Sequence, residues 1–351
     1  MRYITFGGWR LSKVGLGTSQ FANPGWGYGA HHSPQDLVRH ALDLGVTHFD
    51  TTDIYGAGGS ERILGAALSG VEGVVVATSL FNVAPSSRLL VARARASVKR
   101  LRRPLDLCYV LWSNPLVNDR HLMAGMRQLR EEGSVKEVGV SDYGVDRWRA
   151  AEAHLGSPVS VNQALYSLVR RYPEETVIPW AVVHGRLVVV AQPLSTGLLS
   201  GAYHRGKRVS GPWRSGNRLF SSENLESTKD LMETIGEVAR AHDATAAQVA
   251  LAYVLRHENV VAIPGARTVG QLAENVAAAD LVLGEDEWRA LADAAKKSEA
   301  AGIMRPRSSS QSGLQRARNG VRSARHWGRG VRLLAATARE DLRHRASPPR
   351  D

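Results

Sequence analysis

Cysteine is almost absent: Cys108 is the only one in 351 residues. That excludes a disulfide framework and any cysteine-rich zinc or iron–sulfur centre, and it fits a reducing compartment. Long apolar runs are absent too. Nothing approaches the roughly 18 consecutive apolar residues that span a bilayer, and the opening MRYITFGGWRLSKVGLGTSQ lacks the apolar core of a signal peptide. The chain therefore reads as cytoplasmic, with no membrane partner. No grouping of His, Cys and acids has metal-ligand spacing, so no metal is expected. With 43% hydrophobic and 22% charged residues the composition is that of a globular protein.

Acids are scarcer than bases, and the formal net charge is +12. From Arg305 onward there are twelve Arg, no Lys and three acids (Glu340, Asp341, Asp351), a net +9, which leaves +3 for the 304 residues before it. A nearly balanced domain thus carries a basic tail over 305–351, which reads as disordered or loosely helical. The Arg-only basicity reflects a GC-rich coding bias and favours a solvated extension over an RNA or lipid partner. Trp327 is the sole aromatic residue there, so base stacking has little to work with. Nucleic acid is not expected as a partner except through this tail.

Before the tail, apolar β-rich runs alternate with helical patterns, because each buried parallel strand needs a crossover to return the chain. Eight such runs occur: VGLGT (14–18), VTHFDTT (46–52), VVVATS (74–79), LDLCYVLW (105–112), VKEVGVS (135–141), VSVNQ (159–163), LVVVAQ (187–192) and VVAIPG (260–265). Ser33 with Pro34 and, further on, Thr245 mark two helix starts. Eight βα units predict an α/β fold, a (β/α)8 TIM barrel over residues 1–304, with a doubly wound sheet as the alternative. RYITFGGWRL reads as a hairpin at the barrel bottom, and the Gly-, Ser- and Arg-rich stretch from Pro193 to about Leu225 as a lid.

In a barrel the reactive side chains stand at the C-terminal ends of the strands. Those positions carry HFDTTDIYGAGGSERILGAAL (48–68), GVSDYG (139–144), VNQALYSL (161–168), PLSTGLLSG (193–201) and AIPGARTVGQLAENVAAA (262–279). In this order and spacing they resemble the aldo/keto reductase family over residues 1–300. The resemblance implies a TIM barrel that binds NADP(H) across its top, acts on a small-molecule substrate, and uses four catalytic residues: Asp, Tyr, Lys and His. Asp50 and Tyr55 match the first two. Ser79 stands where the family has Lys, and Leu111 where it has His. A free phenol titrates near about 10 and needs a neighbouring charge to become a useful acid. The two departures therefore leave Asp50 without its usual cation and make ordinary carbonyl reduction slow.

The resemblance places Ser141, Asp142 and Gln163 at the nicotinamide carboxamide, although the family more often has Asn where Asp142 stands. It places Gly265, Arg267, Thr268, Gln271, Glu274 and Asn275 at the adenosine 2′-phosphate and adenine. Arg267 suits the phosphate, because a guanidinium fork meets a dianion bidentately. Ala191 stands where the family carries an aromatic platform for the nicotinamide.

Three function classes follow. One is an atypical NADP(H)-dependent oxidoreductase acting on a small-metabolite carbonyl, a secondary-metabolite ketone or a sugar-like substrate. Another is a barrel turned to elimination or isomerisation with Asp50 and Tyr55 as its acid and base. The third is a catalytically silent binder. His48 shares the strand face of Asp50 and reads first as a core histidine, second as a replacement base. His31 and His32, near Trp26 and Tyr28, are further candidates on the loop after the first strand.

Overall fold

The computed structural model describes residues 1–22, 33–81, 86–111, 118–210, 214 and 217–300, with side chains to 298. The basic tail, and the loop that carries Trp26, Tyr28, His31 and His32, lie outside the described residues.

Each of the eight β-rich runs supplies one strand of a parallel sheet. After an antiparallel hairpin of β1 (Tyr3–Phe6) and β2 (Trp9–Ser12) come β3 (Leu16–Gly17), β4 (His48–Thr52), β5 (Val75–Phe81) and β6 (Leu105–Leu111). The sheet continues with β7 (Val135–Ser141), β8 (Val161–Leu165), β9 (Leu187–Ala191) and β10 (Val260–Ala262), each strand pairing with the next in chain order. β3 and β10 meet through two parallel bridges, Val14 with Ala262 and Gly17 with Gly265, so the sheet closes on itself. The Gly15 amide donates to the Ala262 carbonyl at 2.8 Å, and the Ala262 amide to that of Lys13 at 2.9 Å. This is the TIM barrel rather than the doubly wound alternative.

Alternation along the strands sorts the core into two layers. Val14, Leu16, Phe49, Val76, Cys108 and Val138 face outward and pack beneath the helices. Leu11, Val75, Ala77, Leu107, Tyr109, Val161, Val189 and Val261 face the lumen. Ile4, Phe6 and Trp9 of the hairpin pack against that inner cluster, which makes the hairpin the barrel's floor.

Sequence signals at the helix starts are met by geometry. Ser33 and Asp36 form a reciprocal capping box for the helix Pro34–Asp43, and Thr245 with Gln248 does the same for Ala246–Leu255. The latter helix is buried from Val249 to Leu255, and its C-terminal end receives Lys13. Lys13 Nζ donates to the carbonyls of His257 (2.7 Å), Val260 (2.9 Å) and Glu258 (3.1 Å). Burial, with Arg2 nearby, brings this ammonium down to about 8.

The stretch after β9 is partly regular. Two 3-10 turns (Ser195–Ser200 and Arg218–Phe220) and the helix Ser222–Ser227 lie within it, and Leu198, Leu199, Leu219 and Phe220 enter the outer core. Among the described residues no helix is long and apolar enough to cross a membrane, and no cluster of His, Cys, Asp and Glu has the form of a metal site.

Candidate active site

Asp50 lies on β4 facing the lumen, buried, and its partner comes from the opposite wall: Gln163 on β8 donates Nε2–H to Asp50 Oδ2 at 2.8 Å. Burial raises the Asp50 carboxyl well above its ordinary value, and the bond from Gln163 offsets only part of that. Ser141 on β7 donates to Gln163 Oε1 at 3.4 Å, and the backbone N–H of Asp142 to the Gln163 carbonyl at 2.8 Å. Two residues expected at a nicotinamide carboxamide thus join Asp50 in one hydrogen-bonded row, with Asp142 anchored beside it. Asp142 holds a left-handed backbone, φ 58°, a conformation that Asn and Asp tolerate better than most residues. Its charge bears on Arg170, in the turn after β8.

Tyr55 follows β4 in a turn that three consecutive left-handed residues, Gly56, Ala57 and Gly58, bend into the helix Gly59–Ala67. A methyl group on Gly56 would lie 2.4 Å from Ala22 Cβ, so glycine lets the turn press against the first part of the loop after β3. Buried hydroxyls fix this turn. Ser60 Oγ meets Thr18 Oγ1 (2.7 Å) and Thr51 Oγ1 (3.0 Å), which ties β3, β4 and the helix start together. On the other side Thr52 Oγ1 donates to the Ser79 carbonyl at 2.6 Å. Arg93 Nε reaches Asp53 Oδ2 at 2.7 Å while its NH1 holds the Phe81 carbonyl at 2.7 Å. The Tyr55 phenol is raised by desolvation first and by the charge of Asp50 second.

Ser79 and Leu111 both face the lumen side and are buried, with exposures of 2% and 8%. Ser79 pairs in register with Tyr109, two residues before Leu111 on the same face. Tyr109 is a lumen residue that reading the sequence for motif positions overlooks; the period-two alternation of Leu107, Tyr109 and Leu111 carries the signal. His48 lies two residues below Asp50. Gly15 makes room for its ring, since a methyl there would lie 2.3 Å from His48 Nε2. Both ring nitrogens are buried without a partner among the described residues. Burial holds the imidazole down at about 4, so it is neutral near pH 7 and fits the core-histidine reading.

The second expected group gathers where β10 leads into the helix Val269–Ala277. Thr268 caps that helix by accepting from the Gln271 amide at 3.1 Å, and Gln271 Oε1 accepts from the Arg267 amide at 2.9 Å. Asn275 Nδ2 donates to the Gly265 carbonyl at 3.4 Å, while Glu274 accepts from Thr245 Oγ1 at 2.6 Å. Gln20 Nε2, from the loop after β3, donates to the Ala266 carbonyl at 2.6 Å. The long stretch after β9 adds a cation that no motif announces: Arg214 donates to the Thr196 carbonyl at 3.2 Å, and its guanidinium feels the charge of Arg267.

Gly17 relates the two groups. It pairs with Asp50 on one side and bridges to Gly265 on the other, two strand spacings or roughly 10 Å in all. Left-handed, non-glycine backbone at Gln192, Ser195 and Thr196 lies on the remaining side of the mouth. Ser195 Oγ meets Ser167 Oγ there at 2.8 Å. Two guanidiniums with a helix N-terminus make a donor set suited to phosphate, and the Ser141–Gln163 row one suited to an amide.

The profile of the aldo/keto reductase family matches residues 13–296. The chain belongs to the aldo/keto reductase family. An uncharacterised oxidoreductase of Mycobacterium tuberculosis is 44% identical over 302 residues, covering 84% of this chain and 93% of the relative. A probable aldo-keto reductase of Glycine max is 31% identical over 317 residues, covering 84% and 88%. Among solved structures, the aldo/keto reductase of Klebsiella pneumoniae in complex with NADP and acetate superposes with a TM-score of 0.63 at 27% identity, over 80% of this chain and 90% of that one. Membership makes the protein an oxidoreductase of aldo/keto reductase type on a barrel scaffold.

Proposed function

We propose that the protein is an NADP(H)-dependent reductase of a small carbonyl compound, with Asp50 and Tyr55 as its proton-handling residues. The hydrogen bond from Gln163 to Asp50 carries this reading, because it joins the amide-recognising row to the carboxyl that acts on the Tyr55 phenol. The Klebsiella relative, solved with NADP, supports the choice of cofactor.

In this reading Arg267, Arg214 and the Thr268 helix terminus hold the 2′-phosphate end, with Gln271, Glu274 and Asn275 around the adenosine. Ser141, Asp142 and Gln163 orient the carboxamide. When bound, the reduced nicotinamide supplies a hydride to the carbonyl carbon. Tyr55 gives its hydroxyl proton to the carbonyl oxygen. With Ser79 and Leu111 in place of Lys and His, no charge among the described residues lowers the Tyr55 phenol, so generic aldehydes turn over slowly.

The test is steady-state oxidation of NADPH and NADH with a panel of ketones, aldehydes and sugars. Tyr55→Phe should lose about 10²-fold or more in turnover at unchanged melting temperature. Arg267→Ala should erase most of the preference for NADPH, which a charge-assisted pair sets at about 1.5–3 kcal/mol. Equal wild-type affinity for the two nucleotides, or full activity in Tyr55→Phe, defeats the reading.

A buried Asp50 whose carboxyl is raised well above its ordinary value also suits a second reading, elimination or isomerisation without hydride. Substrate conversion with no change in nucleotide absorbance would select it.

A further inference from the structure

Asp50 Oδ1 and the hydroxyl oxygens of Tyr55 and Tyr109 make no hydrogen bond to another described residue, while Gln163 holds Asp50 Oδ2. Tyr109 stands on β6, midway in strand order between Asp50 on β4 and Gln163 on β8. The Asp50–Gln163 bond therefore crosses the lumen from one side of the Tyr109 strand to the other. In register, Tyr109 is flanked by Ser79 on β5 and Gly139 on β7, and both neighbours are small. A methyl group on Gly139 would lie 2.5 Å from Cδ1 of the Tyr109 ring, so the glycine gives the phenol its seat. Burial first, and the Asp50 charge second, raise the Tyr109 phenol, as they raise that of Tyr55. One carboxyl thus acts on two phenols.

Among the described residues the groups that face Asp50 are few. Tyr55 comes from its own turn, Tyr109 from β6, Gln163 from β8, and His48 from two residues below. His48 is held neutral by burial and Gln163 does not titrate. Among the described residues no Lys or Arg pairs with Asp50, and Ser79 brings only a hydroxymethyl group to the place where the sequence resemblance implies a lysine.

We propose that Tyr109 is the positioning residue of the Asp50 carboxyl: its hydroxyl donates to Asp50 Oδ1 whenever that carboxyl is charged, so that two phenols and an amide take the place of the missing cation. The catalytic consequence rests on the reductase reading above. During reduction the Tyr55 O–H bond breaks and its proton forms the O–H bond of the alcohol, while a hydride completes the C–H bond. The Asp50 carboxyl proton then passes to the Tyr55 oxygen, leaving a carboxylate that Tyr109 and Gln163 hold until solvent returns one proton to it. Each turnover consumes one carbonyl, one hydride and one solvent proton.

The experiment is an infrared titration of the whole protein without cofactor, reading the carboxyl band that Asp50→Asn removes. Tyr109→Phe keeps the ring and deletes the hydroxyl. Losing a donor to the charged form raises a carboxyl, so the band midpoint should rise by about one pH unit. With nucleotide and substrate present, the same variant should move the pH limb of kcat upward while KM stays within about threefold. Site-directed 3-fluorotyrosine at position 109, a stronger donor of nearly the same shape, should move the midpoint down, and it decides the matter alone if Tyr109→Phe does not fold. A midpoint that stays put when the hydroxyl is deleted or strengthened overturns the proposal, even if carbonyl turnover is normal. A moved midpoint in a protein that consumes no nucleotide removes the reductase reading and leaves the coupling of Tyr109 to Asp50 standing.

Discussion

Among the described residues four acids are buried, Asp50, Asp53, Glu61 and Asp106, and they divide by what neutralises them. Asp53 has Arg93 at 2.5 Å, Glu61 has Arg100 at 2.5 Å, and Asp106 has Lys136 at 2.7 Å with Arg103 at 3.5 Å. Asp53 and Glu61 fasten a turn and a helix to the helix that carries Arg93 and Arg100, and Asp106 fastens β6 to β7 and to the turn before it. Asp50 alone faces the lumen, and it has an amide. An unpaired carboxylate is costly away from water, so the chain supplies a cation wherever an acid serves the scaffold. Burial raises Asp53 even beside Arg93, and Asp50, which has no such cation among the described residues, is raised well above its ordinary value. The difference separates an acid that fastens from an acid that can react.

The largest effect should come from turning a fastening acid into an unpaired one. Arg100→Met strips the cation from fully buried Glu61 and leaves Thr78 as its partner. Urea denaturation should show a loss of about 3–5 kcal/mol, and a loss below about 1 kcal/mol would mean that the two sets of acids do not differ as described. The opposite change gives Asp50 what the other acids have. Ser79→Lys combined with Leu111→His should raise aldehyde reduction about tenfold or more, and the two must be made together because such groups act as a unit. Fast reduction by the wild type with no gain in the double variant would show that these positions do not govern the Tyr55 phenol.

The smallest effect concerns stability and pH. Because burial raises Asp50 in the folded protein, its contribution is fully present below its unfolded value of about 3.8 and is lost as pH climbs through the raised folded value. Asp50→Asn removes that dependence. Relative to the wild type the variant should gain stability steadily as pH rises from 4 to 8, measured as the difference in urea midpoints. A gain that stays flat or shrinks with rising pH would show that the fold does not raise the Asp50 carboxyl.

Much of this architecture is legible in the sequence because it depends on neighbours along the chain. Alternating valines mark the strands, Ser33 and Thr245 mark helix starts, and Asp50 and Tyr55 sit at fixed spacing on one turn. The partner of Asp50 is 113 residues away on the opposite wall, and only barrel closure brings the two together. Tyr109 is half legible: its strand face follows from alternation, but its seat depends on Gly139 of the next strand. Arg214 lies in a stretch without periodicity, and the left-handed backbone at Gln192, Ser195 and Thr196 has no glycine to announce it. These features are tertiary, and composition and spacing do not encode them locally.

The thinness of the closure between β3 and β10 has a consequence for ligand binding. A barrel is a ring, and this one is joined over a two-residue strand by two isolated bridges, a buried ammonium and the side chain of Gln20. The proposed phosphate end hangs from the β10 side of the join, and the carboxyl it must serve faces inward one strand beyond it. A nucleotide lying across both would act as a clasp, so its binding free energy and the free energy of holding the ring shut would be two readings of one linked equilibrium.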